Sequence, residues 1–148
     1  MKEIFAQLYE NKILMTTLSA WIIAQTIKVT IGIISQRKFD FRWFVGTGGM
    51  PSSHAAGATC LAAAIGLDHG FQSVDFALAA SFAIVVMFDA QGVRRAAGRQ
   101  ARILNKMTED IYWKGRINEH RLRELVGHTP TEVIMGGLLG IIIALVAG

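Results

Sequence analysis

Two histidines lie in short segments whose composition suits phosphate chemistry. His54 closes the segment Gly48-Gly-Met-Pro-Ser-Ser-His54, and His128 begins the segment His128-Thr-Pro-Thr-Glu132. The chain has only two prolines, and each segment contains one of them. An imidazole exchanges protons near neutral pH and can also act as a nucleophile. Two such rings near an anion site would suit the transfer of a phosphoryl group.

The segment before His54 has the features of an anion site. Glycines allow the backbone to approach a ligand closely, and Ser52 and Ser53 are expected to open a helix. A helix N-terminus presents unpaired N–H groups and a partial positive charge. His54 would lie in the first helical turn, where it could give a proton to a leaving oxygen. The alternative is a helix cap with an incidental histidine.

The segment after His128 fits a capping box, with Thr129 at the N-cap, Pro130 at N1 and Glu132 at N3. The cap alone does not account for His128. A carboxylate close to an imidazole fixes its tautomer and stabilises its cationic form. That would prepare His128 as a nucleophile that forms a phosphohistidine. The capping role and the catalytic role can coexist in Glu132.

A third polar segment runs from Asp89 to Arg95. Arg94 and Arg95 could clamp a phosphate with paired hydrogen bonds; the alternative is a basic anchor at the membrane boundary. Asp89 could pair with an arginine or hold a metal. His69 and His120 lie in polar turns, and we interpret both as surface residues.

Long apolar runs predict the elements that position these residues. Apolar residues make up 52% of the 148, and the mean hydropathy is +0.39. Membrane-spanning helices are expected over about 13–34, 74–88 and 130 to the C-terminus, with a shorter alanine-rich helix over 53–67. The fold class is therefore an all-α integral membrane bundle with about four transmembrane helices, forming one domain over 1–148. Lys28, within the first span, is expected to extend towards the interface.

The basic residues are unevenly distributed. Three lie in the loop 35–52 and nine in the loop 92–128, together twelve of the fifteen. With four crossings, both loops face one compartment, and the positive-inside rule places them in the cytoplasm with both termini outside. A failure of the 53–67 helix to cross would separate the two loops. The stretch 94–126 has helical composition, and its aromatic residues suit the membrane surface. The single cysteine, Cys60, excludes an internal disulfide.

The three segments together resemble the divergent PAP2 family, small membrane proteins related to acid phosphatases and vanadium-dependent haloperoxidases. The resemblance covers nearly the whole chain, from about Ala20. It implies that His54 protonates the leaving group and that His128 is the nucleophile, with Glu132 in place of the orienting aspartate. Ser52 and Ser53 match the phosphate-binding turn, where Ser53 replaces the usual glycine.

The chain also departs from the wider superfamily pattern. It has no Lys-x6-Arg-Pro stretch, so Lys38 and Arg42 are the candidate substitutes. No Ser-Arg pair lies shortly before His128, so Arg94 or Arg95 is the candidate for the third-motif arginine, with 96–127 as an insertion. The superfamily needs no metal, and no cofactor is expected, although Asp89 leaves a divalent metal open.

The resemblance and the topology imply a phosphatase of lipid phosphates on the cytoplasmic side of a bacterial inner membrane or its equivalent. Phosphatidylglycerophosphate ranks first because it is made on that face. Polyprenyl (pyro)phosphate and phosphatidate rank second. The rivals are a lipid-phosphate carrier or flippase, which needs no nucleophile, and a structural membrane subunit. The expected partners are a lipid phosphate and the membrane, not nucleic acid, and a homodimer also fits four short spans.

Overall fold

The computed structural model describes residues 1–37, 49–91, 93–112 and 128–147, apart from the side chains of 36, 93–97, 99 and 109–112. Within these ranges the chain forms helices and no strand. The helices are α1 (Lys2–Glu10), α2 (Lys12–Gln36), α3 (Ser53–His69), α4 (Val74–Gln91), α5 (Val93–Tyr112) and α6 (Pro130–Ala147). The all-helical prediction is confirmed for this part of the chain.

Three helices are long and apolar enough to cross a membrane. They cover Lys12–Ser35, Val74–Gln91 and Pro130–Ala147, and so match three of the predicted spans. The threonines within α2 do not prevent its burial in lipid. The hydroxyls of Thr17 and Thr26 each donate to the carbonyl four residues earlier, at 2.8 Å. Their protons are therefore satisfied inside the helix, as the hydrocarbon region requires.

The shorter helix α3 lies at the centre of the bundle. It packs against α2, α4 and α6, and nine of its 17 residues are buried. Its last residues, Leu67 and Asp68, line a cavity of about 280 Å³ together with Lys12 of α2 and Ala147 of α6. Because its N-cap Ser52 meets Glu132 in the first turn of α6, α3 extends along α6 from that first turn to the last residues. That length supports the predicted fourth crossing, which stays a prediction.

The helices α3 and α6 run parallel and approach very closely. A Cβ atom at Gly136 would overlap the Ser52 carbonyl oxygen, and one at Gly140 would overlap the Ala56 carbonyl oxygen. The Thr59 hydroxyl contacts the Gly137 carbonyl oxygen at 2.9 Å. Small residues four apart are a common device for close helix packing in membranes. The two helix N-termini are consequently held side by side.

The far end of the bundle carries the turn between α3 and α4. At this end the His69 ring lies 2.8 Å from an Asp75 carboxylate oxygen, through Nδ1, and its side chain is 45% exposed. The short helix α1 precedes α2 and has no buried residue; it was not among the predicted helices. The prediction that His69 lies on the surface is confirmed.

Candidate functional site

The two histidine-bearing segments meet at one end of the bundle, where α3 and α6 begin. The backbone N–H of Ser52 donates to the Glu132 carbonyl at 3.0 Å, which joins the start of α3 to the first turn of α6. The backbone N–H of His128 donates to the Ala90 carbonyl at 3.1 Å and so attaches this segment to the end of α4. Three helices therefore fix the backbone around the two histidines.

The first segment begins α3 as the sequence predicts. Ser52 is the N-cap, and its Oγ accepts from the backbone N–H of Ala55 at 3.3 Å. Ser52 and Ser53 are almost fully buried, whereas His54, in the first helical turn, is exposed. The exposed ring lies at a helix N-terminus, where the partial positive charge favours an anion. This end of α3 can therefore present both a proton donor and backbone N–H groups to a phosphate.

The second segment forms the predicted capping box and also holds His128. Glu132 Oε2 accepts from the Thr129 backbone N–H at 3.1 Å, and Thr129 Oγ1 accepts from the Glu132 N–H at 3.4 Å. The same Oε2 atom lies 3.0 Å from His128 Nδ1. An ionised carboxylate can only accept, so Nδ1 carries the proton, and the neutral ring keeps its lone pair on Nε2. His128 is 1% exposed, and this contact fixes its ring.

The rings of His54 and His128 are neighbours. Their centroids lie 6.3 Å apart, and the ring planes are inclined at 60°. Reacting atoms in a near-attack geometry are about 3–3.5 Å apart. A phosphorus atom could thus contact one ring while the oxygen bonded to it contacts the other. The geometry permits the predicted division of labour, and the roles themselves stay predictions.

Lys28 corrects an expectation from the sequence. It was expected to extend towards the interface, yet it is only 7% exposed. It lies eight residues before the end of α2 at Gln36, about 12 Å along the helix. A Cβ atom at Gly49 would come within 3.1 Å of Lys28 Cγ, and Lys28 is also attracted electrostatically to Glu132.

The structure thus adds a buried lysine to the site. Gly49 has a φ of +93°, a conformation that favours glycine, and its missing side chain makes room for the lysine stem. The sequence did contain a signal for this position, because a charged residue within a membrane span is most often functional. The side chain is buried instead of extending towards the interface.

Several predicted residues cannot be placed at this site. Lys38 and Arg42 lie outside the described residues, and Arg94 and Arg95 belong to α5 at positions whose side chains the structure does not describe. Asp89 lies in the last turn of α4, is partly buried and has an interaction partner. Among the described residues, no three His, Cys, Asp or Glu side chains converge as metal ligands. The phosphate clamp and the absence of a metal stay predictions.

Known proteins are similar in sequence to this chain over most of its length. A family model described as the divergent PAP2 family matches residues 9–143. "Uncharacterized membrane protein YuiD" of Bacillus subtilis (strain 168) is 45% identical over an alignment of 151 positions, gaps included, that covers 95% of this chain and 96% of that protein. No solved structure matches. The apolar helices and this membrane relative identify an integral membrane protein. The predicted resemblance is confirmed: the chain belongs to the divergent PAP2 family.

Proposed function

We propose that the chain is a lipid phosphate phosphatase that works through a phosphohistidine at His128. One observation carries the proposal: the ring of His128 faces that of His54, with centroids 6.3 Å apart, while Glu132 Oε2 lies 3.0 Å from His128 Nδ1. A buried imidazole with an oriented lone pair suits nucleophilic attack, and a second imidazole within reach suits proton transfer. A pair of caps alone would require neither the contact between the rings nor the burial of His128.

In the first step, Nε2 of His128 attacks the phosphorus of a phosphomonoester. The N–P bond forms as the bond between phosphorus and the lipid oxygen breaks, and protonated His54 gives its proton to the leaving alcohol. The Glu132 carboxylate stabilises the positive charge that develops on the His128 ring. In the second step, neutral His54 takes a proton from water, which attacks phosphorus, breaks the N–P bond and releases inorganic phosphate.

The negative charge on the phosphoryl oxygens needs preorganised positive groups. Lys28 supplies one beside the Gly49 turn, and the N-terminus of α3 supplies backbone N–H groups and a partial positive charge. The close parallel packing of α3 and α6 brings a second helix N-terminus to the same place. Arg94 or Arg95 would complete the clamp, as the resemblance implies. No step in this mechanism uses a metal.

The substrate is proposed to be a lipid because the site lies at one end of a membrane bundle, where head groups are found. The basic loops place that end in the cytoplasm if α3 crosses, and the full-length path of α3 supports such a crossing. A phosphatidylglycerophosphate-type substrate therefore ranks first, with polyprenyl (pyro)phosphate and phosphatidate second. The substrate and the side of the membrane are both parts of the proposal.

The direct test measures phosphate release by purified protein from a panel of these lipid phosphates, with and without a chelator. His128→Ala should reduce release to background, and His54→Ala should reduce it by roughly 10²–10⁴-fold, the usual contribution of general acid–base catalysis. His69→Ala is the matched control, because that ring contacts Asp75 at the opposite end of the bundle. It should retain wild-type activity.

A second measurement separates this mechanism from its rivals. A substrate with a radioactive phosphate should leave a base-stable, acid-labile label on the wild-type protein and none on His128→Ala. If no lipid is hydrolysed and the protein instead moves lipid phosphates across vesicles, it is a carrier. Wild-type activity in both histidine variants would remove the two rings from catalysis, and neither hydrolysis nor transport by the wild-type protein would support a structural subunit. Loss of activity with chelator would refute the metal-free reaction.

A further inference from the structure

The helix α5 carries two kinds of exposed side chain on different faces. Ile103, Leu104 and Met107 are 57%, 49% and 55% exposed. Arg102 and Lys106, one helical turn apart, are also exposed. Residues four apart lie on the same side of a helix, so the pair Ile103–Met107 and the pair Arg102–Lys106 form an apolar edge and a basic edge. Such a separation is typical of a helix that lies at a boundary between apolar and polar surroundings.

The described helices leave the apolar edge uncovered. Among the helices that the structure describes, α5 packs only against α4. The α4 helix has the length and apolar character of a membrane span up to Gln91, and α5 begins at Val93, directly beyond it. The start of α5 therefore lies where the hydrocarbon region ends, at the end of the bundle that carries the two histidines.

We propose that α5 lies in the head-group region of an anionic lipid leaflet, with Ile103, Leu104 and Met107 directed into the acyl boundary. Two observations favour lipid over a protein partner. The helix is joined directly to a membrane span, and its second edge is basic, which complements anionic head groups and is typical of interfacial helices. This inference depends on α4 spanning the membrane and not on any phosphatase activity.

Spin labels can test this placement in the full-length protein. Single cysteines replace Ile103, Met107, Arg102 or Lys106 in turn, and each labelled variant is reconstituted in vesicles of phosphatidylcholine and phosphatidylglycerol. Cys60 is fully buried, so labelled wild type gives the background; a Cys60→Ala form replaces it if that background is high. The collision rates of each label with oxygen, which concentrates in the bilayer, and with a water-soluble nickel chelate are then compared.

Labels at 103 and 107 should show a severalfold higher ratio of oxygen to nickel collisions than labels at 102 and 106. Equal nickel access at all four positions would place α5 in water and overturn the proposal. Protection of 103 and 107 from both reagents would also overturn it, because protein would then cover the apolar edge.

Two comparisons test the contribution of anionic lipid. One uses vesicles of phosphatidylcholine alone, and the other uses the double substitution Arg102→Gln/Lys106→Gln. The difference in collision ratio should shrink in neutral vesicles for the unsubstituted protein. In anionic vesicles the double variant should behave as the unsubstituted protein does in neutral ones. An unchanged difference in neutral vesicles would refute the contribution of anionic head groups. Circular dichroism of each variant shows whether the bundle remains helical.

Discussion

The close approach of α6 to α3 predicts opposite outcomes for two neighbouring glycines. In Gly140→Ala, the added methyl would overlap the Ala56 carbonyl oxygen and lie 2.9 Å from the Cys60 backbone nitrogen. These are backbone atoms, so no rotamer change relieves the overlap. In Gly137→Ala, the methyl would lie 3.5 Å from Thr59 Cγ2 and 3.7 Å from Met87 Sδ, which is ordinary van der Waals contact.

The magnitudes follow from these contacts. Overpacking that shifts a backbone costs about 1–3 kcal/mol, while replacing glycine by alanine inside a helix gains about 0.5–1 kcal/mol. Gly140→Ala should therefore lower the free energy of unfolding by up to about 2.5 kcal/mol, the overpacking cost less the helical gain. Gly137→Ala should leave it unchanged or raise it by up to about 1 kcal/mol. Titration with a denaturing detergent in mixed micelles, followed by circular dichroism, measures both differences.

The pair also distinguishes packing within one chain from packing between chains. Equal stability of the two variants would show that α6 does not contact the α3 backbone at Gly140. If Gly140→Ala left the unfolding of the monomer unchanged and altered only the oligomeric state, the glycine surface would be an interface between two copies. Either result would show that close packing of α6 on α3 within one chain is not what holds the two helix N-termini together.

Three further predictions concern the site and the topology. Glu132→Gln should lower kcat by roughly 10- to 150-fold, because hydrogen bonds to charged groups contribute about 1.5–3 kcal/mol. The control Thr129→Ala should instead destabilise the protein by about 1 kcal/mol and leave kcat nearly unchanged. Equal kcat in both variants would contradict the role of the carboxylate. Lys28→Met should weaken inhibition by orthovanadate by at least about tenfold through loss of a charged contact, and unchanged inhibition would remove Lys28 from the phosphate site. Cysteines at Met50 and Gln72 should react with an impermeant reagent from opposite sides of the membrane, and labelling from the same side would show that α3 does not cross.

The sequence predicts the three longest spans well, because each depends on a continuous apolar run that lipid itself requires. Their ends are less predictable. The run that includes Val74 becomes polar after Phe88, yet α4 continues to Gln91, since a helix needs backbone hydrogen bonds and not an apolar side chain at its last turn. The centre of the bundle is harder still. The alanine-rich α3 is buried by contact with three other helices, and its local sequence pattern does not predict that contact.

The sequence also predicts only the local features of the candidate site and not its contacts between helices. The capping box around Glu132 is local, so residue types at fixed spacings were sufficient to predict it. The proximity of His54 and His128 follows only from the packing of α3 beside α6, and the family resemblance supplied what local chemistry could not. Lys28 packs beside Gly49, which lies far along the chain, so its position in the helix alone suggested that it extends towards the interface.

The Glu132 oxygen that contacts both Thr129 and His128 affects when the His128 ring becomes oriented during folding. A single atom both completes the first turn of α6 and holds the proton on His128 Nδ1. A chain whose last helix has not yet formed therefore lacks an oriented imidazole. If His128 is the nucleophile that we propose, its ring becomes oriented for attack only once α6 has formed.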